Sequence, residues 1–301
     1  MLRAFSCKGD VMRRVVVTAP AKVNLFLGIG GVRPDGYHDV TTVIHTLEFA
    51  DTVAIELADE FSLTCSEDLG IPAEDNLAFR AAIAFAEEFG EPRGAAIELT
   101  KRVPAGAGLA GGSSDAAAVL AGLAALTGRD VAEPRLAALA QRLGADIAFF
   151  LVGGAALMSG RGDEIERALP AISVPVALVK PLAPVHTALA YRAFDADPVE
   201  AGEPSAVVAA LESGDAAALG RALANNMTGC AISLVPEVGD ALAWVSTEPG
   251  VLGAAVAGSG SSVFALCSDD GVARRIANDA PGRGFWSVAT ATRIAGVTWT
   301  E

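Results

Sequence analysis

The stretch "VPAGAGLAGGSSDAAAVL", residues 103–120, is the part of the chain whose residue types and spacing most directly suggest chemistry. Gly106, Gly108, Gly111 and Gly112 leave the backbone bare, and Ser113, Ser114 and Asp115 open an alanine-rich run with helical spacing. A helix N-terminus leaves backbone N–H groups unpaired and carries partial positive charge. Glycines in front of it take positive φ and let a ligand come close. Together they form a cradle for phosphate oxygens. Three other readings compete. A plain turn, with Ser113 or Ser114 capping the helix, needs no ligand but also needs fewer glycines. Gly106, Gly108 and Gly111 match the dinucleotide pattern, yet the helix that follows leads into another helix instead of a parallel strand. A Walker loop requires Gly-Lys-Ser/Thr where this chain has Gly112-Ser113-Ser114-Asp115. The spacing therefore points to a phosphate loop without its own lysine.

Several other residues have a structural and a functional reading. Lys22 lies in "PAKVN" between apolar residues; turned inward it would need a partner, turned outward it would be solvated. Asn24 is one alternation further on and shares its strand face. Asp146 follows Gly144, where a capping aspartate is common. Tyr37 and His38 follow the turn signal Asp35-Gly36. Thr187 and Tyr191 are spaced to share a helix face. Asn76 sits where it can cap the next helix, and Gly258, Ser259 and Gly260 read as a turn between strands.

These residues need elements to hold them. "RRVVVTAPAKVNLFLGIGG" reads as two strands broken at Ala19-Pro20, and "TVIHTLEFADTVAIEL" as strand, turn, strand. "NLAFRAAIAFAEEFG" is helical and stops at Gly90, and "GAAIELTKRV" is a strand leading into the glycine loop. A helix is expected from Ser113 to Thr127, and a second over "EPRLAALAQRLG" with Pro134 at its start. "VPVALVKPL" is a strand, "HTALAYRAF" and "PSAVVAALESGDAAALGRAL" are helical, and "GVLGAAVAGSGSSVFALC" is two strands about a glycine turn. Strands and helices mix without a βαβ repeat, which predicts an α+β fold. The expected division is a tail over 1–12, one unit over 13–170 and another over 171–301.

Composition narrows the function. The chain has 301 residues, 52% of them hydrophobic and 19% charged, enough for a full core. A net charge of -14 argues against nucleic acid as a partner, though a local site can still take a phosphorylated small molecule. The longest apolar run, residues 147–158, is too short and glycine-rich for a membrane span. The opening "MLRAFSCKGDVMRR" lacks an apolar stretch of signal-peptide type. Cys7, Cys65, Cys230 and Cys267 are scattered, without a CxxC pair, and fit buried thiols in a reducing cytoplasm. A homodimer is compatible with the composition and not specified by it.

The glycine loop resembles the second motif of the GHMP kinase superfamily of small-molecule kinases. "APAKVNLFLGIGGVRPDGYHDVTTV", residues 19–43, resembles the first motif, and "VAGSGSSVFAL", residues 256–266, the third. "RPDGYH" and "LGADIAFF" resemble one branch, which phosphorylates the 2-hydroxyl of a cytidine diphosphate-linked methylerythritol in isoprenoid precursor synthesis. The resemblance implies two α+β domains with a cleft between them, and ATP and Mg²⁺ as cofactors. It implies Lys22 and Asp146 as the catalytic pair, with Asp146 as base. ATP would lie on Pro104, Ala105, Gly106, Ala107, Gly108, Leu109, Ala110, Gly111, Gly112, Ser113 and Ser114, with Asn76 at the adenine and Ser114 reaching the metal. Asn24, Tyr37, His38, Thr187 and Tyr191 would hold the substrate, and Gly258, Ser259 and Gly260 would close the cleft opposite the cradle. Two other functions compete: a homoserine- or mevalonate-type kinase, and a non-catalytic ligand-binding regulator on the same fold. Departures from the family pattern are Ala148, where proline is common, and the run Asn225, Asn226, Met227.

Overall fold

The chain leaves its expected tail as a single long strand. The computed structural model describes residues 13–300, so the tail over 1–12, with Cys7, lies outside the described residues. Strand β1 spans Arg14–Val32 and pairs antiparallel with β2, His38–Ala58. The expected break at Ala19-Pro20 and the turn within the second segment do not occur. Instead the register slips between Pro20 and Lys22 and again between Asn24 and Phe26. These irregularities accommodate the proline and bend the strand, a device common beside active sites.

Next come β3 (Ser62–Cys65), α1 (Leu77–Phe89), β4 (Gly94–Thr100), α2 (Gly111–Leu126), α3 (Pro134–Leu143), α4 (Ile147–Val152), β5 (Ala155–Ser159) and β6 (Glu164–Leu169). Asn76 caps α1 by accepting from the Ala78 N–H, and Gly90 ends it at φ 75°. Helix α2 starts two residues before the expected Ser113 and is buried almost all round. Its small residues are needed there: a Cβ on Gly122 would lie 2.4 Å from the Ile55 side chain. Helices α1, α2 and α4 pack on the sheet around Phe85, Leu120, Phe149 and Phe150. The apolar run 147–158 divides at Gly153-Gly154 into α4 and β5.

The second half holds β7 (Pro175–Lys180), α5 (Thr187–Ala196), α6 (Ser205–Ser213), α7 (Ala216–Ala222), β8 (Ala224–Asn225), α8 (Thr228–Leu234), α9 (Glu237–Thr247), β9 (Val251–Val256), β10 (Val263–Cys267), α10 (Asp270–Asp279), β11 (Trp286–Ala291) and β12 (Thr298–Thr300). The helical stretch expected over "PSAVVAALESGDAAALGRAL" is interrupted at Gly214, φ 69°, and Asp215 caps α7. Strands run in the order β11-β7-β10-β9 in one sheet and β12-β1-β2-β4-β3 along the other, with β5 on β2 and β8 on β1. The fold is α+β, as expected. We retain 13–170 and 171–301 as the proposed units, with β12 reaching back across the division.

Cys230 and Cys267 are buried and Cys65 is half-buried; burial pushes the Cys267 thiol up to about 11. Among the described residues, no helix is long and apolar enough to cross a membrane.

Candidate active site

A cleft of about 760 Å³ runs between the two sheets, and the glycine loop forms one wall. Gly106 and Gly108 take φ of 63° and 77°, and Ala110 takes 56°, the one positive φ outside glycine among the described residues. Ala110 is the residue preceding α2, and no side chain caps the helix. The serine-capped turn is thus not what forms. The uncapped first turn leaves its amides directed at the loop, where an anion is favoured.

The loop is fixed from three sides. The Lys22 backbone N–H donates to the Leu109 carbonyl at 3.1 Å, joining it to β1. The Ser262 N–H donates to Ala107 at 3.2 Å, joining it to the turn between β9 and β10. A Cβ on Gly108 would lie 2.0 Å from the Ala257 carbonyl oxygen. The third side is a buried ion cluster. Lys101 Nζ bonds Asp115 Oδ2 at 2.6 Å and also the Asp51 carboxylate. Asp51 in turn accepts from the backbone of Arg102 and of Val103, the latter at 2.8 Å. Burial opposes the Lys101 charge, but the two carboxylates outweigh it and hold its pKa above the ordinary lysine value. Burial pushes Asp115 up to about 7, against the pull of Lys101.

Opposite the loop, Lys22 and Asp146 face one another. Lys22 is buried, and its Nζ lies 3.8 Å from Asp146 Oδ2. The same ammonium donates to Asn24 Oδ1 at 2.8 Å. Asn24 donates to Thr42 Oγ1 at 2.9 Å, and that hydroxyl donates to the Phe26 carbonyl at 2.6 Å. This chain of bonds fixes the ammonium. Asp146 precedes α4, but its carboxylate makes no cap hydrogen bond and instead lines the cleft. The inward lysine and the uncapping aspartate are therefore what this arrangement contains.

At the far end of the cleft, His38 Nε2 lies 2.8 Å from Asp195 Oδ1, and its ring centroid is 5.2 Å from that of Tyr191. Burial, then the nearby Asp146 charge, push the Tyr191 hydroxyl up. Tyr37 is exposed, with the Arg161 guanidinium 5.0 Å from its ring centroid. The Thr187 and Ser259 hydroxyls lie 3.1 Å apart and join α5 to the third glycine turn.

The cleft is lined by Lys22, Asn24, Asn76, Asp146, Thr187, Tyr191, Gly258, Ser259 and most of the loop from Pro104 to Ser113. Five predicted residues stand off it: Leu109 and Ser114 are buried behind, and Gly260, Tyr37 and His38 are not on its wall. His38 reaches it through Tyr191. Ala148 lies in the first core. The Asn225-Asn226-Met227 run laces the halves together: Asn225 donates to the carbonyls of Val256 and Gly258, both at 2.8 Å, and Asn226 donates to Ile29 at 2.9 Å.

Sequence reasoning missed Lys101, Asp51, Thr42, Arg161 and Asp195. Lys101 stands directly before the glycine loop, a position that could have marked it. Asp51 carries no signal, because its partners come from a distant strand.

The fold and this cleft define a class. Residues 76–154 match the GHMP kinases N terminal domain and residues 207–284 the GHMP kinases C terminal domain. The chain belongs to the GHMP kinase family, whose members phosphorylate small-molecule alcohols. It is 36% identical over 284 residues to the 4-diphosphocytidyl-2-C-methyl-D-erythritol kinase of Exiguobacterium sibiricum, covering 94% of this chain and 98% of that one. It is 39% identical over 267 residues to the enzyme of the same name from Pelotomaculum thermopropionicum, covering 87% and 92%. A crystal structure of 4-(cytidine 5'-diphospho)-2C-methyl-D-erythritol kinase superposes with a TM-score of 0.78 at 37% identity, covering 92% of this chain and 98% of that one. A homoserine kinase from Cytophaga hutchinsonii shares the fold, with a TM-score of 0.75 at 21% identity over 99% of this chain and 100% of that one.

Proposed function

We propose that this chain is a cytoplasmic kinase that transfers the γ-phosphoryl group of ATP to the 2-hydroxyl of 4-diphosphocytidyl-2-C-methyl-D-erythritol, a step in non-mevalonate isoprenoid precursor synthesis. The observation that carries it is the Lys22–Asp146 pair set across a cleft from an uncapped, glycine-lined helix terminus, in a chain whose full-length relatives bear that name.

The geometry supports the following roles. The first-turn amides of α2 and the loop glycines receive the triphosphate. Asp146 accepts a hydrogen bond from the substrate hydroxyl and takes its proton as the new bond forms. Lys22 offsets charge that grows on the transferring group. Positioning and charge neutralisation supply most of the acceleration in such transfers. Asn76 faces the adenine, and Tyr37, His38 and Tyr191 receive the cytosine. Gly258, Ser259 and Gly260 close over the phosphates.

Mg²⁺, when bound, would supply charge neutralisation at the transferring phosphate. Among the described residues, no group of His, Cys, Asp or Glu side chains forms a metal site. Of the two serines that open α2, Ser113 is on the cleft wall, while the Ser114 hydroxyl is buried behind it without a partner; Ser114 would need to turn outward to reach such an ion.

ADP release with each candidate alcohol at equal concentration tests the proposal. The cytidylyl substrate should be turned over far faster than homoserine, mevalonate or methylerythritol phosphate. Preference for homoserine or mevalonate would move the chain to another branch, and no turnover with any alcohol would leave the regulator reading.

A further inference from the structure

We infer that Arg161 holds the diphosphate bridge of the nucleotide-linked substrate, an inference that rests on the function proposed above. Arg161 forms the tip of the turn between β5 and β6. Gly160 and Gly162 flank it with φ of 68° and 82°, and the Gly162 N–H donates to Ser159 at 2.9 Å. The guanidinium is oriented by its neighbour: Nε and Nη2 both donate to Asp163 Oδ2, at 3.0 and 2.6 Å. Among the described residues, Nη1 has no partner. Its edge is open, and the residue lines the cleft.

The position along the cleft is what identifies the ligand. Arg161 bridges Val40 of β2, whose N–H donates to Gly160 at 2.8 Å. His38, Val40 and Thr42 alternate along that strand, so they share a face at spacings of about 7 Å. His38 is at the proposed base subsite. Thr42 holds Asn24, which holds Lys22 at the proposed hydroxyl subsite. Arg161 therefore stands midway between the two ends. In a cytidine diphosphate ester of a polyol, the diphosphate stands midway between base and hydroxyl.

Charge points the same way. Among the described residues, Lys22, Lys101 and Arg161 are the cations on the cleft wall. Lys22 faces Asp146, Lys101 is held by two carboxylates, Asp51 and Asp115, and Arg161 gives one edge to Asp163 and keeps Nη1 for a ligand. The acids around the far end, Asp35 and Asp39, are bonded to Arg33, and Asp195 to His38. In a chain of net charge -14, a diphosphate there needs a dedicated cation. A guanidinium with an open edge matches phosphate oxygens in shape as well as charge.

Calorimetry with CDP and with cytidine, the ATP subsite being filled by a non-hydrolysable analogue, tests this on the wild type, Arg161→Met and Arg161→Lys. The wild type should bind CDP roughly 10- to 100-fold more tightly than cytidine, the scale of one or two charge-assisted hydrogen bonds. Arg161→Met should lose most of that difference and leave cytidine affinity within about twofold, and Arg161→Lys should keep part of it. In steady state, KM for the cytidylyl substrate should rise in Arg161→Met while KM for ATP holds. If Arg161→Met melts below the assay temperature, Arg161→Gln, which retains a donor for Asp163, carries the same comparison. A CDP preference that survives in the Met or Gln variant overturns the inference and leaves the proposed substrate standing. Failure of the wild type to bind CDP overturns the proposed substrate, and the inference with it.

Discussion

Lys101 Nζ lies 2.6 Å from Asp115 Oδ2 and is held from its other side by Asp51, so two buried carboxylates share one ammonium beneath the glycine loop. Removing the cation would strand both acids. Lys101→Met should lower stability by about 3–5 kcal/mol, the usual penalty for breaking a buried ion pair. Urea denaturation measures this; a change below about 1 kcal/mol would mean that the cluster is not a structural tie. The cluster also sets a pH dependence. Burial raises the Asp115 pKa to about 7, above its unfolded value. Its contribution to stability is then fully present below the unfolded pKa and is lost as pH rises through about 7. Asp115→Asn cannot ionise, so its Tm relative to wild type should climb between pH 5 and pH 8. A pH-independent difference would contradict the raised value.

Asp146→Asn should keep ATP affinity and lose turnover by roughly 10²- to 10⁴-fold, the range for a general base. The Lys22–Asp146 distance of 3.8 Å and the absence of any cap bond from this carboxylate are the motive. Single-turnover kinetics with ATP binding measured in parallel decides it. Turnover within twofold of wild type would remove Asp146 from the reaction.

Gly108→Val should weaken ATP binding at least tenfold and also lower Tm. The new Cβ would fall 2.0 Å from the Ala257 carbonyl oxygen, and φ at this position is 77°. A β-branched residue resists that φ, and the clash forces the two glycine turns apart. Unchanged ATP affinity in calorimetry would show that the loop is not the phosphate cradle.

Tyr191→Ala should raise KM for the cytidylyl substrate much more than KM for ATP. Its ring packs 5.2 Å from His38 and lines the cleft, while Asn76 and the loop are on other parts of the wall. Loss of an aromatic contact with a base is worth roughly 1–3 kcal/mol in single-strand binding proteins, a fair scale here. Remote binding energy also orients the reacting hydroxyl, so turnover should fall as well. Equal losses for both substrates would place Tyr191 outside a separate base subsite.

How much of this could be read from the residues depended on whether the signal was local. The glycine loop, the Asn76 cap and the Gly90 stop are each built from adjacent residues, and they occur where the spacing predicts. Lys22 and Asn24 are two apart on one strand, and they do share a face. The strand break expected at Ala19-Pro20 does not occur because a slipped register absorbs the proline within one continuous strand. Asp51 and Asp195 were invisible because their partners, Lys101 and His38, come from distant segments. Periodicity reports which face a residue occupies, not what a remote element places against it. Arg161 gives no local signal for the same reason: only its bridge to Val40 of β2 brings its turn to the cleft.

Two of the passages of chain between the sheets, β6 to β7 and β11 to β12, run side by side and are stitched together. The Thr292 N–H donates to the Val174 carbonyl at 2.9 Å, the Thr292 hydroxyl receives the Val174 N–H at 2.7 Å, and that hydroxyl donates to Ile172. The halves are fastened here and again at the opposite side, where β8 lies on β1 and Asn226 brackets Ile29, so the cleft is framed by two separate seams and does not hang on one.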